Sequence, residues 1–109
     1  MKTFFSFRES AHFADRVVDY LSDEAYAELQ WFLIALPDAG DLIVGGGGIR
    51  KLRWSLPGRG KRSGARVIYY WADARGQIFM LDIYAKNEKA DLTADELKEL
   101  KQLVEQWLK

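Results

Sequence analysis

The sequence predicts an α+β fold: one domain over residues 1–109, built in the order β-α-α-β-β-β-α around a small, curved, mainly antiparallel sheet. Three observations point there. Two amphipathic stretches, each preceded by a serine able to cap a helix, come early in the chain. Two hydrophobic strands joined by a tight turn follow later, and a capped amphipathic helix closes the sequence. A chain of 109 residues can build one hydrophobic core but not two.

Thr3–Phe7 is short, aromatic and alternating, as a strand requires. Ser10 can cap a helix reaching about Tyr20, with Phe13, Val17, Tyr20 and Leu21 along one side. Ser22 opens a second helix, and Asp23 and Glu24 lie in its first turn, where the helix dipole favours anions. Its inner stripe is Tyr26, Leu29, Phe32, Leu33 and Leu36, and Pro37 stops it. The two helices form a hairpin whose outer side is acidic, with Asp15, Asp19, Asp23, Glu24 and Glu28.

Asp38–Gly48 is a loop ending in four glycines. Ile49–Ser55 alternates as a strand, so Lys51 and Arg53 point one way while Arg50, Leu52 and Trp54 point the other. Leu56–Gly64 (LPGRGKRSG) is a turn punctuated by proline and glycine. Arg66–Ala72 and Gln77–Tyr84 are strands, connected by a hairpin at Asp73–Gly76. Both are hydrophobic almost throughout, so each face is partly covered. Alternation therefore does not assign Arg66 to a side, because a one-residue shift moves it across the sheet. After a polar exit loop, Ala85–Leu92, Thr93 and Glu96 make a capping box. The last helix turns Leu97, Leu100, Leu103, Val104, Trp107 and Leu108 inward.

The charges are unevenly spread. The chain balances 16 Lys and Arg against 16 Asp and Glu. Yet Gly45–Tyr70 carries seven cations and no acid: Arg50, Lys51, Arg53, Arg59, Lys61, Arg62 and Arg66. A one-signed block on a neutral protein reads as an anion-binding surface, with phosphate the natural anion. There is no cysteine, which excludes disulfides, thiolate metal sites and a cysteine nucleophile. No apolar run approaches the roughly 20 residues that span a bilayer, and the amino terminus lacks a signal-peptide layout. The expected location is the cytoplasm, away from membranes.

Several chemistries fail on residue type. A P-loop needs glycine, four residues, then Gly-Lys-Ser/Thr; here Gly60-Lys61 is followed by Arg62 and Ser55 stands where the first glycine belongs. The run Gly45–Gly48 is more simply a pliable turn. His12 is the one histidine, so neither a histidine pair nor a Ser-His-Asp triad can be assembled, and no metal site is expected. The cations remain. A loop such as GRGKRSG is often just solvated surface, but here the charges continue onto strands (Lys51, Arg53, Arg66) and into Lys86-Asn87. Trp54, Tyr69, Tyr70 and Tyr84 offer planar groups nearby, as single-stranded nucleic acid prefers. Arginines can stabilise a phosphorane, where preorganised donors contribute about 3 kcal/mol each. A lysine crowded by other cations can serve as a base. The residues alone describe an RNA-binding surface that could also cut RNA.

The segments GDLIVGGGGIRKLRWSLPGRGKRSGARVIYYW and IYAKNEKADLTADELKEL resemble the HigB branch of the RelE/ParE superfamily of bacterial toxins. The shared pattern is a Gly-Asp turn, a glycine-rich loop, Arg-Lys-Leu-Arg, a Gly-Lys-Arg-x-Gly-x-Arg run into a Tyr-Tyr strand, then Lys-Asn-Glu. It covers about Gly40 to the end, and the preceding helical hairpin has the expected place. The resemblance implies the toxin of a type II toxin–antitoxin system: a metal-independent, cofactor-free endoribonuclease that cleaves translated mRNA in the ribosomal A site. It also implies a cognate helix-turn-helix, HigA-like antitoxin, with operator DNA reached only through that antitoxin. ParE-like relatives, which inhibit DNA gyrase by binding and cut no RNA, are the alternative; they generally lack so dense a basic set.

By position, the resemblance implies catalytic roles for Lys51, Arg53, Arg66, Tyr84 and Lys86. Arg53 and Arg66 would stabilise the phosphorane, Lys51 or Lys86 would be the base, and Tyr84 would stack on a nucleobase or donate a proton. Arg50, Arg59, Lys61, Arg62 and Asn87 would grip RNA or ribosome. The chain departs from some RelE-type enzymes, which carry a tyrosine near the final helix; Leu92-Thr93 occupies that region here.

Overall fold

A computed structural model describes residues 5–56 and 64–109. The elements are β1 (Ser6–Glu9), α1 (Ala11–Val17), α2 (Asp23–Ala35), β2 (Asp41–Leu42), β3 (Ile49–Trp54), β4 (Ala65–Ala72), β5 (Gln77–Ala85) and α3 (Ala94–Leu108). They form one five-stranded sheet in the order β1-β5-β4-β3-β2. Three pairings are antiparallel; β1 alone lies parallel to β5.

The expected α+β architecture holds, and its helix starts are set by the expected side chains. Ser10 Oγ accepts from the Phe13 N–H and donates to the Leu81 carbonyl, so the same residue caps α1 and fastens it to β5. Ser22 accepts from the Ala25 N–H to begin α2. Both halves of the Thr93–Glu96 capping box are formed. Differences lie at the margins. Among the described residues the first strand runs over Ser6–Glu9, ending just before Ser10 reaches β5; Thr3 and Phe4 of the expected strand lie outside the described residues. The loop before the glycines contains β2, a short edge strand paired with β3.

The sheet is covered on both faces. On one side α1 and α2 bury Phe13, Leu29 and Leu33 against Leu52, Val67, Tyr69 and Met80. On the other, α3 lays Leu97, Leu100, Leu103, Val104 and Trp107 over Ile49, Ile68, Phe79, Leu81 and Tyr84. Two residues expected inside are not: Leu36, at the C-cap of α2, is 50% exposed, and Leu108, in the last turn of α3, is 37% exposed. Each stands at a helix end, where the stripe has run past the sheet.

The pairing of β4 with β5 shifts by one residue after Ile68, leaving Leu81 as an extra residue on β5. A bulge of this kind breaks the strict alternation of a strand. It lets Leu81 and Asp82 share the α3 side.

Candidate functional site

Register decides where the cations go. Arg53 on β3 lies opposite Arg66 on β4, which in turn lies opposite Tyr84 on β5. Lys51 lies opposite Ile68, one position up the same face of β3. All four therefore stand on the face that α3 covers, and α3 stops short of the end where the charges sit. The result is a hollow of about 470 Å³, lined by Asp41, Lys51, Arg53, Arg66 and Lys86. Lys86 enters from just beyond β5, where its backbone N–H donates to the Gly64 carbonyl.

The rim at β2 is held by groups on the opposite face. The buried Tyr69 hydroxyl accepts from the Gly40 N–H at 2.9 Å and donates to the Pro37 carbonyl at 2.8 Å. Burial pushes the Tyr69 hydroxyl upward in pKa, so it stays a donor. Arg50 Nη1 donates to the carbonyls of Gly40 (2.8 Å) and Asp38 (3.1 Å). A side chain at Gly40 would meet Tyr69 Cε1 at 2.8 Å and the Lys51 carbonyl at 3.1 Å. The Gly-Asp pair thus has a physical role: glycine allows the turn to press on the sheet, and Asp41 is delivered beside Lys51.

Within the hollow, Lys51 Nζ pairs with the Asp91 carboxylate at 3.3 Å. Partial burial alone would raise the Asp91 carboxyl, but the Leu92 N–H and the Lys51 ammonium outweigh it and hold it below the usual carboxylate range. Arg53 is exposed, whereas Arg66 is only 6% exposed. Among the described residues, neither arginine has a carboxylate within ion-pair distance, nor has Lys86. A buried cation without a carboxylate is costly in the free protein and favours an incoming anion.

Tyr84 needs correction. Its ring is fully buried, beneath the Lys89 ammonium at 4.7 Å from the ring centroid, so it cannot stack on a nucleobase. Its hydroxyl has no hydrogen-bond partner of normal geometry. Burial first, then the negative charge of Asp91 and Asp82, pushes its pKa to about 12. The other expected aromatics are also committed to packing. Tyr69 is buried, Tyr70 stacks on Phe79, and Trp54 packs on Phe32. Aromatic side chains so close to strand centres contribute more by filling the core than by waiting for a ligand.

The remaining expected residues divide. Arg50 is on the opposite face, as the alternation indicated, and its guanidinium is taken up by the turn. Asn87 borders a separate depression with Arg16, Asp19 and Tyr20. Arg59, Lys61 and Arg62 lie outside the described residues.

Three acids were missed from the sequence. Asp41 borders the hollow, Asp91 pairs with its Lys51, and Asp82 anchors a network of its own. Asp82 is buried, accepts from the Ile83 N–H at 2.8 Å, and pairs with His12 at 3.1 Å and Lys89 at 3.8 Å. Lys89 also pairs with Glu96 at 2.7 Å, tying the exit loop to α3. Burial nevertheless raises the Asp82 carboxyl, with His12, Lys89, the Ile83 N–H and Arg16 opposing it only in part. The one available signal was a lone acid inside a hydrophobic strand. Among the described residues, no three His, Cys, Asp or Glu side chains converge to hold a metal ion, and no helix is long and apolar enough to cross a membrane.

A family model described as the RelE toxin of the RelE/RelB toxin–antitoxin system matches residues 37–109, a span that contains every residue of the hollow. Among solved structures, the chain is similar to the crystal structure of the intact E. coli RelBE toxin–antitoxin complex, with a TM-score of 0.52. The identity is 18%, over 79% of this chain and 96% of that one, a likeness of fold.

Proposed function

We propose, from the premise that this chain belongs to the RelE toxin family, that it is a HigB-type toxin acting as a ribosome-dependent mRNA endoribonuclease in the cytoplasm. A cognate HigA-like antitoxin would neutralise it. The observation that carries the reading is the single hollow shared by Lys51, Arg53, Arg66 and Lys86.

Transesterification of RNA asks for three things. The 2′-hydroxyl gives up a proton as its oxygen attacks phosphorus, the phosphorane gathers negative charge, and the 5′-oxygen leaves with a proton. Arg66 and Arg53, opposed across two strands, stand on either side of where a phosphate would settle. Donors fixed before the substrate arrives stabilise the developing charge without reorganisation, worth about 3 kcal/mol for each well-placed group. Lys86 accepts the 2′-proton, while Lys51, held as an ammonium by Asp91, gives its proton to the leaving 5′-oxygen. Lys51 is held by Asp91, which fixes its direction. The products are a 2′,3′-cyclic phosphate and a free 5′-hydroxyl.

The test is 5′-end mapping of transcripts after brief induction of the protein alone, with translation running and with it blocked. Cuts that appear only in translated message support the reading. Growth arrest with double-strand DNA breaks and intact mRNA points to gyrase poisoning instead. Replacing both Lys51 and Arg66 with alanine should abolish cleavage while antitoxin binding survives.

A further inference from the structure

The loop between β5 and α3 carries two groups of the proposed reaction: Lys86, which lines the hollow, and Asp91, which holds Lys51 at 3.3 Å. Lys89 stands between them, yet its ammonium is turned to Asp82 and Glu96, which border the separate cleft with His12. We propose that Lys89 is a positioning residue, clamping this loop so that Lys86 and Asp91 are in place before RNA arrives. The inference rests on the ribonuclease reading above and adds to it the residue that orders its proton-transfer groups.

The clamp joins three elements. Lys89 Nζ lies 2.7 Å from Glu96 in the first turn of α3 and 3.8 Å from Asp82 on β5. It also sits over the Tyr84 ring, 4.7 Å from the centroid, where the π face favours a cation. Both carboxylates are themselves fixed. Glu96 uses its other oxygen to accept the Thr93 N–H in the capping box, and Asp82 is buried, with the Ile83 N–H and His12 on its other oxygen. The backbone beside Lys89 is tightly turned: the N–H groups of Glu88 and Lys89 both donate to the Ala85 carbonyl, and Glu88 accepts from the Ala85 N–H.

Stability alone does not account for this arrangement. An ion pair whose lysine is 30% exposed adds little to the global stability of a fold. What it restricts is the path of the chain on either side, with Lys86 just before it and Asp91 just after. Arg53 and Arg66 are held by the β3–β4 ladder and need no such help. Loss of the clamp therefore acts on proton transfer and spares the grip on the phosphate. A displacement of about 1 Å from the reacting geometry costs on the order of a hundredfold in rate.

The experiment measures cleavage by the purified full chain on mRNA-programmed ribosomes, with kcat and KM separated. Lys89→Met should lower kcat by roughly a hundredfold, with KM within about threefold of wild type and the melting temperature nearly unmoved. Lys89→Arg should restore most of the rate, because a guanidinium can pair with the same carboxylates. Glu96→Gln keeps the capping hydrogen bond and loses the ion pair, and should lower kcat by about tenfold. In the free protein, amide hydrogen exchange over residues 86–92 should quicken in Lys89→Met and not in Lys89→Arg, while β3 and β4 keep their protection. Unchanged exchange in that loop overturns the clamp whatever becomes of the ribonuclease reading. A rise in KM at constant kcat, a rate lost only in step with melting temperature, or an arginine variant as slow as the methionine one overturns the positioning role. No cutting by wild type, with exchange as expected, removes the ribonuclease reading and leaves a purely structural clamp, which overturns the proposal as well.

Discussion

Arg53 and Arg66 face one another across the β3–β4 ladder, and among the described residues neither has a carboxylate within ion-pair distance. Like charges directly opposite in a sheet are destabilising, and here one of the two is almost fully buried. Such a pair costs the free protein stability that a bound anion would restore.

Arg66→Met should therefore separate stability from activity. The methionine fills much of the same volume without the charge, and stability should rise by about 1 kcal/mol. Cleavage of translated mRNA should fall by about a hundredfold or more, as for loss of one charge-stabilising donor. Urea unfolding and 5′-end mapping read the two effects. A variant that is clearly less stable would mean that Arg66 is a structural residue.

Tyr84→Phe removes a buried hydroxyl that makes no hydrogen bond of normal geometry among the described residues and only helps to hold the Asp91 carboxyl low. Stability should be unchanged or higher by up to about 1 kcal/mol, because little bonding is lost and a desolvated group disappears. Wild-type Tyr84 should also remain protonated until about pH 12, visible as a late step in an ultraviolet titration. A drop in melting temperature of several degrees would show that the hydroxyl has a partner after all.

Gly40→Ala and Tyr69→Phe should damage the same device. The alanine methyl would press on the Tyr69 ring, and the phenylalanine would leave the Gly40 N–H and Pro37 carbonyl without their partner. Each should cost about 1–3 kcal/mol. The double variant should cost less than the sum, since both act on one contact. Strict additivity in a denaturation series would disprove the shared role.

Acid should loosen α3 through Glu96. Its carboxyl is lowered chiefly by the Lys89 hydrogen bond and then by the Thr93 N–H. A lowered folded pKa gives stability that is present above the unfolded value of about 4.3 and is lost as pH falls through the folded one. Asp82 runs the other way. Its raised carboxyl gives a contribution fully present below about 3.9 and lost as pH rises through its folded pKa. Melting curves from pH 3 to 7 should show a flatter acid limb for Glu96→Gln and a steeper one for Asp82→Asn. Matching slopes for the two variants would contradict this.

Much of the architecture was legible because local rules act alone in those places. Serine before a hydrophobic stripe started α1 and α2, Thr93 and Glu96 capped α3, and Asp73–Gly76 turned a hairpin, with Gly76 at φ 61°. The short β2 was missed, since a strand of two residues carries too little pattern to stand out, and the parallel pairing of the expected first strand with β5 has no local signal. Tyr84 was read as a site residue because a tyrosine next to cations resembles a stacking platform. Its burial depends on α3 lying across it, which no local signal announces.

By itself, the sequence determined the inventory: no cysteine, one histidine, and seven cations without an acid over Gly45–Tyr70. It also determined that Lys51 and Arg53 share a face, because alternation along a single strand is a local property. Only the tertiary structure decided that Arg66 joins them, through the β3–β4 register beside the Leu81 bulge. It alone brought Asp91 to Lys51, 40 residues away in the chain. Register and loop return depend on how whole strands and helices settle against one another, and a residue's neighbours in sequence do not encode that.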